Sequence, residues 1–218
     1  MRCAASFSGV TCDVANRREY TARMVLAYHT IISAYGFWLP NDPRGSWSEM
    51  VRVLELREFG PATKVPTRRS VADVPHDRNT RLAARSALAR PPVRFSGVQA
   101  RAVAGGFSIA AADNGYAILA CAILPDHVHY VVARHARSVE RIAAHLKAAA
   151  SRQLTVEGLH PFGDSPLPTG RLAPPWASGA WHVYLNTEAA VRRAIAYVEE
   201  NPVKAGLRRQ RWSFVKSI

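Results

Sequence analysis

Two apolar runs separated only by Pro125 and Asp126 constrain this chain more than any other feature. Tyr116 to Leu124 is apolar, the Pro-Asp pair marks a turn, and His127 to Ala133 is again strand-like, so the spacing predicts a β-hairpin. Around it, Met24 to Ser33 (MVLAYHTIIS) reads as a buried strand that exits through YGFWLPNDPRG. Ser96 followed three residues later by Gln99 is a capping-box pattern, which places a helix from there to Asn114-Gly115. Beyond the hairpin, Ser138 caps VERIAAHLKAAASRQL, where Val139, Ile142, Ala143, Leu146 and Leu154 supply an apolar face. Trp181 to Leu185 reads as a short strand, and Thr187 caps a last helix running through VRRAIAYVEE to Pro202.

This order is the β-α-β-β-α-β plan with one helix added. The expected fold is α+β: a ferredoxin-like (RRM-like) antiparallel four-stranded sheet, helices on one face, plus an added C-terminal helix that bears Tyr197. Residues 1–23 read as an N-terminal extension and 24–218 as a single domain, with a loop-rich basic insertion at about 40–92. Within that insertion NTRLAARSALAR reads as a short helix, either a DNA-contacting arm or a solvated surface. The plan hosts many functions, so the site must decide among them.

Charge narrows the partners. Lys and Arg number 29 against 16 Asp and Glu, a net +13, which favours a polyanion such as nucleic acid. Cys3, Cys12 and Cys121 are odd in number and share no C-x-x-C spacing, which fits a reducing cytoplasm rather than a disulfide framework. No stretch approaches the roughly 18 apolar residues of a membrane span, and the opening residues lack the apolar core of a signal peptide. A membrane partner is therefore not expected.

Two constellations carry candidate chemistry. In His127-Val128-His129 the strand period of two puts both imidazoles on one face, near enough to chelate one divalent ion; two satisfied sheet histidines are the alternative. In AIAYVEENPVKAGL, Tyr197 and Asn201 stand four apart and share a helix face. Pro202 is expected to push Asn201 to the helix boundary, leaving its amide oxygen available as a ligand.

Taken together, PDHVHYVV, a basic helix, and PPWASGAWHVYLNTEAAVRRAIAYVEENPVKAGL resemble the HUH single-tyrosine transposases of the insertion-sequence type, in particular the REP-associated tyrosine transposase branch. The resemblance spans roughly Met24 to Val215 and is weakest over the insertion. It implies His127 and His129 as metal ligands, Asn201 as the third ligand with Glu200 as fallback, Tyr197 as nucleophile, and Mg²⁺ or Mn²⁺ as the metal. Imidazole ligands alone would equally suit Zn²⁺ or Ni²⁺. The implied substrate is single-stranded DNA with hairpins or palindromic repeats, handled by a monomer or homodimer.

The residue types suit that chemistry. A phenol of pKa about 10 is about a thousandth ionised at neutral pH, so forming the attacking phenolate costs about 4 kcal/mol. A cation on the scissile phosphate offsets that cost. Arg141, Lys147 and Arg152 on the basic helix, with Lys204, are expected to hold DNA phosphates, helped by Arg192, Arg193, Arg208, Arg209 and Arg211. Of Trp38, Trp47, Trp176, Trp181 and Trp212, most are expected in packing and one or so on DNA bases. Two other readings stand beside this one: a rolling-circle-type HUH nickase, and a non-catalytic nucleic-acid-binding module on the same sheet. Such a module would carry aromatics for base stacking where the central strands here carry His127 and His129.

Overall fold

A computed structural model describes residues 24–37, 39, 54–60 and 77–216. The 1–23 extension and most of the 40–92 insertion lie outside the described residues, as do Trp38 and Trp47. The described elements are β1 (Ala27–Ser33), a 3-10 turn (Leu54–Phe59), α1 (Arg78–Ser86), α2 (Gly97–Asn114), β2 (Ile118–Ile123), β3 (His127–Ala133), α3 (Val139–Val156), β4 (Trp181–Leu185) and α4 (Glu188–Lys204). The short helix expected from NTRLAARSALAR is α1, started by Asp77 accepting from the Thr80 amide.

The four strands form one sheet in the order β2-β3-β1-β4, every pairing antiparallel, which is the α+β ferredoxin-like arrangement. Pro125 and Asp126 make the two-residue connection of the hairpin, closed by the Leu124 amide on the His127 carbonyl at 2.8 Å. α2 begins with the full capping box, Ser96 and Gln99 each taking the other's backbone amide, and ends on Gly115 in the left-handed region at φ 70°, which glycine enters without a Cβ penalty.

Alternation along the strands divides the side chains between two cores. One face sends Ile32, Val128, Tyr130 and Val132 against Phe107 of α2 and Ile142, Leu146 and Leu154 of α3. The other sends Ala27, Ala120, Ala122, Val131 and Leu185 against Val191, Ala194 and Val198 of α4. α4 therefore lies on the opposite face of the sheet from α2 and α3. The alanines of β2 are small enough to let α4 settle over β2 and β3, where most of its contacts fall.

The β2 edge is covered by the chain after α4. The Gln210 side chain clamps both backbone groups of Ile123, accepting from its amide at 2.8 Å and donating to its carbonyl at 2.7 Å. The Lys216 amide then donates to the Ile118 carbonyl at 2.8 Å.

Candidate active site under the C-terminal helix

Strand register assembles the site. β1 and β3 pair with Ile31 opposite His129 and His29 opposite Val131, so His29, His127 and His129 all project to the face that α4 covers. There the Nε2 atoms of His127 and His129 face each other at 3.0 Å. Each outward nitrogen has its own partner: His127 Nδ1 meets Asp126 Oδ1 at 2.8 Å, and His129 Nδ1 meets His29 Nε2 at 3.0 Å. Phe37 stacks on the His127 ring with centroids 4.8 Å apart.

Burial sets the electrostatics. His129 is among the few buried polar residues, only 4% exposed. Burial, with some repulsion from His127 and His29, holds it well below the usual imidazole range. Burial likewise lowers His29 to about 4. Both rings are thus neutral at physiological pH, the form in which imidazole ligates metals.

α4 brings Tyr197 over this cluster. Its ring lies edge-on to both His29 and His129, centroids 5.7 Å away in each case, yet remains 46% exposed, so it meets both the histidines and solvent. Two turns on, Lys204 Nζ sits 5.5 Å from the Tyr197 ring centroid and pairs with Glu200 at 3.2 Å. Glu200 is thereby engaged on the helix surface.

Asn201 differs from the sequence expectation. α4 does not stop at Pro202 but runs through it to Lys204. Near a helix end the missing proline amide forfeits a single hydrogen bond, and Pro202 is buried in exchange. Asn201 is consequently inside the last turn, half-buried, its Nδ2 donating to the Tyr197 carbonyl at 3.3 Å.

The basic residues separate into two groups. Lys204 is beside Tyr197, whereas Arg141, Lys147 and Arg152 belong to α3 across the sheet. Arg141 and Arg152 are exposed there. Lys147 is not the solvent-facing cation the sequence implied: its ammonium donates to the Ala177 carbonyl at 2.7 Å and to the Gly179 carbonyl, and burial lowers it to about 8. The loop before β4 must be held down, and a long side chain at the inner edge of α3 reaches it. Trp176 is also structural, buried with its indole donating to the Lys147 carbonyl and Ser151 Oγ at 3.1 Å each. Trp212 packs against the larger core. Trp181 is 37% exposed and shares the His29 face through its register with Ile31.

The histidine pair passes a simple fit test for a divalent cation. Two nitrogens each about 2.1 Å from one ion stand roughly 3 Å apart when about 90° separates them, and the Nε2 pair is at 3.0 Å. Among the described residues no group of three or more His, Cys, Asp or Glu converges as a complete metal site, so further ligands have to come from elsewhere, such as an amide, water or substrate.

No family model matches the chain, nor does any curated protein. Solved structures similar to the chain include two transposases. A REP-associated tyrosine transposase bound to a REP hairpin is 12% identical, over 83% of this chain and 68% of that one, with a TM-score of 0.44. A candidate transposase from Deinococcus radiodurans R1 is 14% identical, over 85% of this chain and 95% of that one, with a TM-score of 0.35. Among the described residues no helix is long and apolar enough to cross a membrane.

Among the described residues, His29 joins Asp126 and Phe37 as a neighbour of the histidine pair that the sequence reading missed. Its signal was a lone imidazole inside an otherwise apolar strand, in phase with Ala27 and Ile31.

Proposed function

We propose that this chain is a single-tyrosine DNA strand transferase, a transposase of the HUH kind that cleaves and rejoins single-stranded hairpin or palindromic DNA. The observation that carries the reading is the convergence of the His127 and His129 Nε2 atoms at 3.0 Å beneath an exposed Tyr197. The sequence resemblance supplies the reaction class and the geometry is compatible with it.

In this reading Tyr197 Oη attacks a phosphodiester phosphorus in line with the departing 3′-oxygen. The Oη–P bond forms as the P–O3′ bond breaks; the phenol gives up its proton to solvent and the leaving oxygen takes one. The products are a 5′-phosphotyrosine and a free 3′-OH. A 3′-OH from another strand reverses the step, so bond energy is kept without a nucleotide cofactor. His127 and His129, with Asn201 proposed as a third ligand, would hold Mg²⁺ or Mn²⁺. Bound there, the cation neutralises charge on the scissile phosphate. Lys204, 5.5 Å from the Tyr197 ring, is proposed to meet the same phosphate.

The test uses end-labelled single-stranded hairpin DNA with Mn²⁺, followed by denaturation and mapping of the DNA-linked peptide. The adduct should lie on Tyr197 and be absent from Tyr197→Phe, with the unfolding midpoint unchanged because the lost oxygen is on an exposed ring. An adduct on Tyr184, which packs edge-on to Tyr28 on the opposite face, would overturn the site. So would one on Tyr130, which is fully buried, or one that survives in Tyr197→Phe. Hairpin binding with no cleavage under any divalent metal would favour the non-catalytic module.

A further inference from the structure

His129 is held at both ring nitrogens. Nε2 faces His127, and Nδ1 faces His29 Nε2 at 3.0 Å. His29 reaches it from β1 as a diagonal neighbour, since its direct partner is Val131, a separation that ring side chains span. The two rings lie nearly parallel, 27° apart with centroids at 5.2 Å, and Tyr197 rests edge-on across both.

We propose that His29 is a positioning residue for the cation site: it accepts the Nδ1 proton of His129 and so fixes the tautomer whose Nε2 lone pair points toward His127. The inference rests on reading His127 and His129 as cation ligands. A neutral imidazole carries its proton on either nitrogen, and only one of the two forms leaves Nε2 free to ligate. At 4% exposure His129 has no bulk water to receive the Nδ1 proton, so without an acceptor the liganding tautomer would leave a buried donor unpaired. His29 removes that penalty and, meeting His129 edge to edge with the two rings 27° apart, fixes the direction of that ring through the hydrogen bond. Asp126 does the same for His127 from the turn, with a carboxylate in place of an imidazole. His29 is not itself a ligand in this arrangement, because it addresses the nitrogen of His129 that points away from His127.

Mn²⁺ titration of the full chain, followed by calorimetry without DNA, tests the proposal. His29→Leu should weaken Mn²⁺ binding by roughly 10- to 100-fold, and His29→Gln, which restores an acceptor oxygen, should recover most of it. Nitrogen-15 NMR of the imidazoles should show His129 protonated on Nδ1 in the wild type and in His29→Gln. If His29→Leu fails to fold, the comparison of wild type with His29→Gln and the NMR signature still decide. Wild-type affinity in His29→Leu would overturn the inference alone. A loss in His29→Gln as deep as in His29→Leu would overturn it too, since that is the mark of a direct ligand. A wild-type chain that takes up no Mn²⁺ would overturn the reading of His127 and His129 and this inference with it.

Discussion

Single side chains in this molecule are best understood by which face of the sheet they occupy. His182 projects away from the candidate active site and meets Thr30 Oγ1 at 3.0 Å. Burial holds its imidazole below the usual range, with Glu140 opposing and Lys147 adding to the shift. The unfolded chain protonates this ring near pH 6.5 while the folded chain resists. Its contribution to stability is therefore whole above about pH 6.5 and is lost as pH falls through the lowered value. His182→Gln keeps a polar partner for Thr30 and cannot titrate, so urea unfolding should show a smaller loss of stability than wild type between about pH 7.5 and 5. The same question of face explains what was legible at this scale. His127 and His129 could be paired from local spacing alone because two residues apart on a strand means one face. His29 could not, because its place beside His129 depends on a strand register set across about a hundred residues of chain.

Elements were easier to read than their packing. Capping residues announce themselves locally, and Ser96, Ser138 and Thr187 each begin the helix their sequence implies. What no local signal gives is how closely two helices approach. α2 and α3 meet at Gly106, where an added Cβ would stand 2.6 Å from Ala150 Cα and 2.7 Å from the Ala149 carbonyl group. Those are backbone atoms of a helix and cannot swing aside. Gly106→Ala should therefore destabilise the fold by roughly 1–3 kcal/mol despite alanine's higher helix propensity. Gly97→Ala, with nothing within 4 Å, should be neutral or slightly stabilising; denaturant unfolding of the pair checks both. The end of α4 shows the converse failure, since Pro202 signals a stop in sequence that burial and a terminal position override.

At the scale of the whole molecule the sheet divides the basic residues, and salt dependence can read that division. Affinity for single-stranded hairpin DNA should fall log-linearly with salt, and Lys204→Ala should reduce the slope by about 0.7 to 0.9. Lys147→Ala should leave the slope alone and lower the unfolding midpoint, because its ammonium holds the loop at Ala177 and Gly179. A slope change in Arg152→Ala as large as in Lys204→Ala would mean that the hairpin wraps around to α3. The segment from Gln210 to Lys216 matters in another way, through the order in which the chain is made. It leaves the ribosome only after α4, so Tyr197 and both histidines of the pair exist in a nascent chain whose β2 border is still bare. Until Gln210 and Lys216 arrive, that border offers unpaired amides and carbonyls to any other nascent strand. A chain cut after Leu207 should accordingly scatter light as it refolds at concentrations where the full chain stays clear, with the Ile123 amide exchanging rapidly with solvent.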